Sequence, residues 1–349
     1  MRYNVYNASA EPLVSILIPA FNAQEWIADT LRSAIAQTWS PKEIIIVDDG
    51  STDRTLAIAR QFESAGVHVI TQENQGAAAA RNTAFAHSHG EYIQWLDADD
   101  LLAPDKIEQQ LKLLKNEPSD CILLSGAYGR FQYRHYRAEF VPTELWRDLS
   151  PIDWLIYKLS CNVFMQTATW LVSRKLTEAA GPWNTELLGD DDGEYFCRVI
   201  RESQDIRFAP QAKVYYRAPR IGTLSHVGRS RNKLDAHWKS MKLHIFHIRQ
   251  MEESERVRRA CLIYLQSCLL YFYPEQTDIL REMEEVASSL GGKLQTPELS
   301  WKYSWIRALF GWSLAKRAGS FTPQLKWHVI SSWDRLLSRL RNRFFPIEP

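Results

Sequence analysis

The sequence predicts an α/β protein, a doubly wound, mostly parallel sheet followed by a C-terminal helical region. Three observations carry that expectation. Strand-length apolar runs alternate with helical segments through the first hundred residues. Each run ends in turn-forming or acidic residues. Beyond about Asp235 only helical periodicity is found, first in 239–251 and then in 255–273.

The elements follow in order. Val14 to Pro19 is a short β-rich run, and Ala20 to Asn22 continue it into a loop. From about Glu25 to Thr38 the apolar residues Ile27, Leu31, Ala34 and Ile35 recur at helical spacing. Glu43 to Val47 is a continuous apolar run, as expected of a strand buried on both faces. Asp48-Asp49-Gly50-Ser51-Thr52-Asp53 closes it with turn and helix N-cap residues. A helix to about Ala65, a strand from Val67 to Ile70 and a turn around Gly76 come next. An alanine-rich helix then runs through Arg81 to Ala86, and the last strand of this half spans about Glu91 to Leu96. In such sheets ligands bind beyond the carboxyl ends of the strands. Pro19, Asp48, Asp49, Asp97 and Asp99 are all expected there.

Composition bounds the function. With 349 residues and 45% hydrophobic content the chain can bury a sizeable core. A net charge of +1 gives no polyelectrolyte character, so nucleic acid is not an expected partner. Cys121, Cys161, Cys197, Cys261 and Cys268 are scattered in apolar contexts, as expected of reduced core residues in the cytoplasm. The first residues lack the pattern of a signal peptide, and no apolar stretch approaches the ~18 residues needed to span a bilayer. The expectation is a cytoplasmic protein, with peripheral attachment at the inner face of a membrane kept open.

The most informative segment is Leu96-Asp97-Ala98-Asp99-Asp100. On an extended backbone Asp97 and Asp99 share one side and Ala98 points away. Two carboxylates held together repel unless a cation lies between them. Hard oxygen ligands favour Mg²⁺ or Mn²⁺, ions that commonly accompany phosphate-bearing substrates. The competing reading is a solvated acidic turn before the next helix. A second acidic cluster, Asp190-Asp191-Asp192-Gly193-Glu194, lies about ninety residues downstream. A carboxylate crowded by others has its pKa raised, which suits a general base near neutrality. Aspartates at a helix start are also favourable without any chemistry.

Four segments resemble family 2 glycosyltransferases in order and spacing: Val14 to Asn22, Ile45 to Asp53, Asn74 to Asn82 and Leu96 to Asp100. The resemblance covers 13–105 and implies a GT-A fold, a nucleotide-diphosphate sugar donor, a Mn²⁺ or Mg²⁺ ion and inversion at the anomeric carbon. The implied domains are a glycosyltransferase domain over 12–235 and a helical region over 236–349. Within the first, 12–105 would bind the nucleotide sugar and 106–235 the acceptor. Donor-binding roles are implied for Pro19, Ala20, Asn22, Glu25, Asp48, Asp49, Gly76, Arg81, Asp97 and Ala98. Asp49 would accept a hydrogen bond from a uracil-like base. Arg81 would neutralise the diphosphate or hold an acidic loop. Asp99 matches the principal metal ligand, with Asp97 acting directly or through water. Asp191-Asp192 aligns with the family's acidic pair before Gly-Glu-Tyr-Phe, where Glu-Asp is usual. That register implies Asp192 as the base, with Asp191 next.

Trp146, Trp154, Trp170 and Trp183 are candidates to stack on an acceptor sugar, Trp183 first among them, although such residues are commonly core. His226 or Arg229, in the loop after a strand at 214–217, could reach the diphosphate. The last 49 residues hold nine Lys or Arg against Asp334 and Glu348, and five tryptophans. That mixture suits an anionic membrane interface, with Trp301, Trp305 and Trp312 on one face. The expected partners are a nucleotide-diphosphate sugar and a glycan or lipid-linked acceptor, in surface polysaccharide assembly. Alternatives are a non-catalytic nucleotide-sugar-binding protein and a glycoside hydrolase. A dinucleotide oxidoreductase would need Gly-x-Gly-x-x-Gly where Pro19-Ala-Phe-Asn22 stands.

Overall fold

A computed structural model describes residues 11–115, 119–218 and 230–298, and parts of 302–337. Two sheets organise the first 217 residues. The first takes β1 (Val14–Ala20), β2 (Lys42–Asp49), β3 (Val67–Gln72) and β4 (Tyr92–Trp95), all parallel, in the order β3-β2-β1-β4. Its helices are α1 (Ile27–Ile35), α2 (Thr55–Arg60) and α3 (Ala77–Ala86). β1 is buried along its whole length, as its unbroken Val-Ser-Ile-Leu-Ile sequence requires of a strand with neighbours on both sides. α1 buries Ile27, Thr30, Leu31 and Ala34, one helical stripe, so its inner face is set by sequence spacing.

The chain reaches β2 and β3 on one side of β1 and then crosses to place β4 on the other. The reversal opens a crevice beyond the ends of β1 and β4, where such sheets bind ligands. A short strand, β8 (Val172–Ser173), extends this sheet antiparallel to β4.

The second sheet has no counterpart in the sequence-based expectation except its last strand. Its order is β5 (Leu101–Leu102), β9 (Asp205–Arg217), β6 (Ile122–Phe131), β7 (Glu139–Phe140). β6 and β9 pair parallel and supply its length. Between these strands come α4 (Lys106–Leu111), α5 (Pro151–Cys161), α6 (Arg174–Ala180) and α7 (Asp191–Glu202). Ser150 starts α5 by accepting from the Asp153 N–H at 3.3 Å, with Pro151 in the first turn.

Three helices follow: α8 (Arg231–Met251), α9 (Glu255–Phe272) and α10 (Thr277–Ser289). α8 opens at Arg231, so the change to helices comes before the expected boundary at 235. α8 lies along α7, and α9 packs on α5 and α8, so the helical region continues the core of the two-sheet region. Cys197, Cys261 and Cys268 are buried as expected, but Cys161 at the end of α5 is exposed, and all five thiols are free.

Of the three tail tryptophans expected on one face, Trp301 lies outside the described residues. Trp305 is 59% exposed, whereas Trp312 packs edge-on against Tyr273 with 4.9 Å between ring centres. Gly311, between them, has φ +80°.

Candidate active site

The site is assembled from loops beyond the carboxyl ends of β1, β2 and β4 and from the start of α7. The first two loops are tied together before any ligand is considered. Asn22 accepts from Thr52 N–H at 2.9 Å and donates its own N–H to Ser51 Oγ at 3.0 Å. Asp53 accepts from Gln24 N–H at 3.1 Å and from Thr55 N–H at 2.8 Å, which starts α2. These short polar side chains satisfy loop amides that no strand reaches.

Asp48 and Asp49 end β2, and both are buried. Asp49 accepts from Gln72 Nε2 at 2.7 Å, Gln75 N–H at 2.9 Å and Gly76 N–H at 2.8 Å. The carboxylate shapes the turn before α3, and a base would meet it with three of its acceptor positions already engaged. Asp48 accepts from Ser51 N–H at 3.2 Å, and its other oxygen is buried without a hydrogen bond.

Asp97, Ala98, Asp99 and Asp100 do not continue β4 in extended form. Asp100 N–H donates to the Asp97 carbonyl at 3.1 Å, closing a turn. The strand alternation expected for Asp97 and Asp99 therefore does not hold; both carboxylates belong to a turn at the crevice. The turn is held from behind. Thr30 Oγ1 donates to the Ala98 carbonyl at 3.0 Å, and Arg217 Nε to the Asp99 carbonyl at 2.8 Å. Asp100 is fully buried and accepts from Arg217 N–H at 2.7 Å and Gln166 Nε2 at 2.5 Å. Burial, with Asp99 and Asp97 beside it, pushes its carboxyl well above the ordinary range. Arg217 and Gln166 were not singled out from sequence. The arginine closing β9 was the available signal, and its importance depends on strand pairing across 117 positions.

Arg81 joins the two acidic clusters. Its side chain is buried, with Nη2 at 2.8 Å from Asp97 and Nη1 at 2.8 Å from Asp191. Its guanidinium carbon also lies 4.3 Å from the Trp183 ring centre. Its two nitrogen contacts thus tie the turn after β4 to the start of α7.

Asp190 precedes α7, and Asp191 and Asp192 form its first turn. Asp192 is half-buried and accepts from Thr167 Oγ1 at 3.3 Å. Burial, then the charges of Asp191 and Asp190, push its carboxyl up to about 7. The positive charge of Arg81 opposes that rise without cancelling it.

Trp183 is engaged in packing. It is 2% exposed and stacks on Tyr195 at 4.0 Å with planes 8° apart. Trp154 and Trp170 are equally buried, so packing accounts for all three. His226 and Arg229 lie outside the described residues. Glu25 is exposed at the rim and pairs with Arg335 of the tail at 3.1 Å.

No group of three or more His, Cys, Asp or Glu suited to a metal is found among the described residues. Two half-buried carboxylates, Asp97 and Asp99, nevertheless fit an ion that takes its remaining ligands from diphosphate and water.

Residues 15–175 match the description of glycosyl transferase family 2. An uncharacterized glycosyltransferase of Haemophilus influenzae is 30% identical over 224 residues, which cover 63% of this chain and 84% of that protein. The chain belongs to glycosyl transferase family 2, and it is a glycosyltransferase. Escherichia coli WfgD, a UDP-Glc:alpha-D-GlcNAc-diphosphoundecaprenol beta-1,3-glucosyltransferase, is 35% identical over 122 residues, 34% of this chain and 46% of its own length. The chain thus spans less than half of that relative. Among solved structures, a 1–349 fragment of Staphylococcus aureus TarS bound to UDP-GlcNAc superposes with a TM-score of 0.62. It is 17% identical, with 79% of this chain and 80% of that one covered. Pyrobaculum calidifontis mannosyltransferase PcManGT, solved with GDP-Man and Mn²⁺, gives 0.53 at 18% identity, covering 97% and 89%. Both share the α/β fold.

Proposed function

We propose that the protein transfers a sugar, with inversion, from a UDP-linked donor to a hydroxyl of a glycan or lipid-linked acceptor in surface polysaccharide assembly. The observation that carries the reading is the Arg81 bridge, which brings Asp97 and Asp191 within 2.8 Å of one guanidinium from 94 residues apart in sequence. A donor-binding turn and a base-bearing helix start thereby face one crevice. A glycoside hydrolase would have no use for the first.

In this reading Asp192 takes the proton of the attacking hydroxyl. A carboxyl raised to about 7 is half ionised near neutrality, the condition that suits a general base. Asp191 stays paired to Arg81 and holds the start of α7 against the donor turn. Asp99 and Asp97 would hold Mn²⁺ or Mg²⁺, which offsets charge on the departing nucleoside diphosphate. The loops after β1 and β2 would take the nucleoside, with Asp49 and the amides around Asn22 at its edge.

The WfgD relationship and the TarS complex support a uridine donor. Isothermal calorimetry of UDP with Mn²⁺ tests the donor site. Wild-type protein should bind only with the ion present, and Asp99→Ala should lose most of that affinity. Equal affinity in the variant would remove Asp99 from the metal site.

A further inference from the structure

We propose that Ser240 and His244, on α8, are positioning residues for sugar transfer, acting through Asp190 on the helix start that carries Asp191 and Asp192. The proposal rests on the reading of Asp192 as the base. It gives the helical region a part in the reaction.

Asp190 sits where a helix N-cap would, yet its side chain makes no cap bond to α7. Its backbone is left-handed, at φ +54°, a conformation uncommon for a residue other than glycine. The carboxylate lies over Gly193 of the first turn without bonding to its amides, and it accepts from Ser240 Oγ at 2.7 Å. The same hydroxyl lies 3.3 Å from the Asp190 carbonyl, so one side chain of α8 touches both ends of the residue. One turn further along α8, His244 Nε2 lies 3.7 Å from Asp190 Oδ2.

His244 is 1% exposed, and its Nε2 has no hydrogen-bond partner. Its Nδ1 lies 3.1 Å from the Tyr264 hydroxyl on α9. When that hydroxyl donates, the ring proton sits on Nε2, directed at the Asp190 carboxylate. Burial pushes His244 down to about 4, so the ring is neutral in the working range and acts as a dipole. Gly193 completes the corner: a Cβ there would fall 2.2 Å from Asp190 Oδ1 and 3.2 Å from His244 Cε1.

An N-terminal carboxylate that served helix stability alone would bond to its own first-turn amides. This one is held by another helix in a sparsely populated backbone state. The return is geometric. Successive residues of a helix differ by about 100° in direction, so the angle at Asp190 decides where Asp191 and Asp192 point. Released from Ser240, the corner can relax, and both carboxylates rotate with respect to Arg81 and Thr167.

The charged and titratable groups facing Asp190 are His237 and His244 from α8, Lys158 from α5, Tyr264 and Cys268 from α9, and Asp192 and Cys197 from α7. Burial opposes ionisation of Asp190, whereas the Lys158 charge and the Ser240 hydroxyl favour it. The Asp190 carboxylate in turn is one of the charges that raise Asp192.

The test uses the full chain and two readouts. The first is UDP release from UDP-N-acetylglucosamine and UDP-glucose with Mn²⁺. The second is the titration of Asp192, followed by ¹³C NMR of carboxyl-labelled aspartate and assigned with Asp192→Asn. Ser240→Ala and His244→Gln should each lower turnover by roughly 10-fold, within the range a positioned base contributes, while UDP affinity stays unchanged. Ser240→Thr should restore turnover. Asp190→Asn keeps the polar corner and removes its charge, so the Asp192 midpoint should fall by at least ~0.5 unit. The NMR titration does not depend on which sugar is transferred. Folded Ser240→Ala and His244→Gln proteins with wild-type turnover, or an Asp192 midpoint unmoved in Asp190→Asn, would overturn the proposal. Wild-type turnover in Asp192→Asn would instead overturn the base assignment, so the two failures are told apart.

Discussion

At the residue scale, the site turns on one cation among several carboxylates. Arg81 is buried and divides its two nitrogen edges between Asp97 and Asp191. Lysine has neither the planar fork nor the stacking surface that meets Trp183. Arg81→Lys should therefore destabilise the protein by about 1–3 kcal/mol, read from urea denaturation. A change within ~0.5 kcal/mol, the size of an ordinary surface substitution, would contradict the bridging role. Asp192 makes the opposite kind of contribution. Its folded-state pKa of about 7 lies above the ordinary aspartate value, so the folded protein holds this proton more tightly than the unfolded chain. That preference is fully present at acid pH, and stability falls as pH rises from about 4 to 7. Asn cannot ionise. Ligand-free Asp192→Asn should then melt roughly 2–4 °C above wild type at pH 8, with the gap closing near pH 4. A variant that melts lower at pH 8 would place the carboxylate in a stabilising contact instead.

At the element scale, the loops after β1 and β2 form one unit before any donor arrives, and Asp53 is its joint. Its carboxylate takes amide and hydroxyl protons from Thr55 and an amide proton from Gln24. Burial works against its charge, but these bonds hold its pKa below the usual aspartate value. The contribution is thus present at neutral pH and is lost as pH falls through that lowered value. Asp53→Ala should cost about 0.5–2 kcal/mol, as loss of a helix-start bond does, and weaken UDP binding as the Gln24 loop loosens. Unchanged thermal stability would count against the joint.

This scale also separates what the sequence disclosed from what it withheld. The first sheet was legible because Ile44 to Val47 and Val14 to Ile18 are unbroken apolar runs closed by turn residues. The second sheet was less so: its edge strands β5 and β7 are two residues long and carry no periodicity. Asp97, Asp99 and Asp192 could be singled out as clustered charges. Their supports, Arg217, Gln166, Thr167 and Ser240, are single polar residues brought in by pairing and helix packing over tens of positions. Trp183 was ambiguous for a related reason: an aromatic beside an acidic cluster suits a sugar platform and a core equally, and its burial between α3 and α7 shows only in the fold.

At the scale of the whole molecule, the proposed membrane attachment concerns the tail. No helix among the described residues is long and apolar enough to cross a membrane. Trp305, Leu309 and Phe310 are 59%, 70% and 60% exposed on one helical stretch. Nine basic residues against two acidic ones fill the last 49 positions, although Lys316 and Arg335 are engaged with Glu275 and Glu25 of the body. An anionic surface would gain up to ~1 kcal/mol per basic residue lying close to it. Full-length protein should sediment with anionic liposomes at low salt, and replacement of Trp305, Leu309 and Phe310 together by Ser should abolish this. Absence of sedimentation by the folded wild-type chain would contradict membrane attachment.

The central claim is that two acidic clusters, joined by Arg81, form one transfer site with Asp192 as its base. Its most direct test is the turnover of Asp192→Asn, measured beside its affinity for UDP and Mn²⁺. The expected result is a fall of roughly 10²–10⁴-fold in transfer, the contribution of a positioned base, with nucleotide affinity unchanged. A folded variant that still transfers sugar within a few-fold of wild type would contradict it.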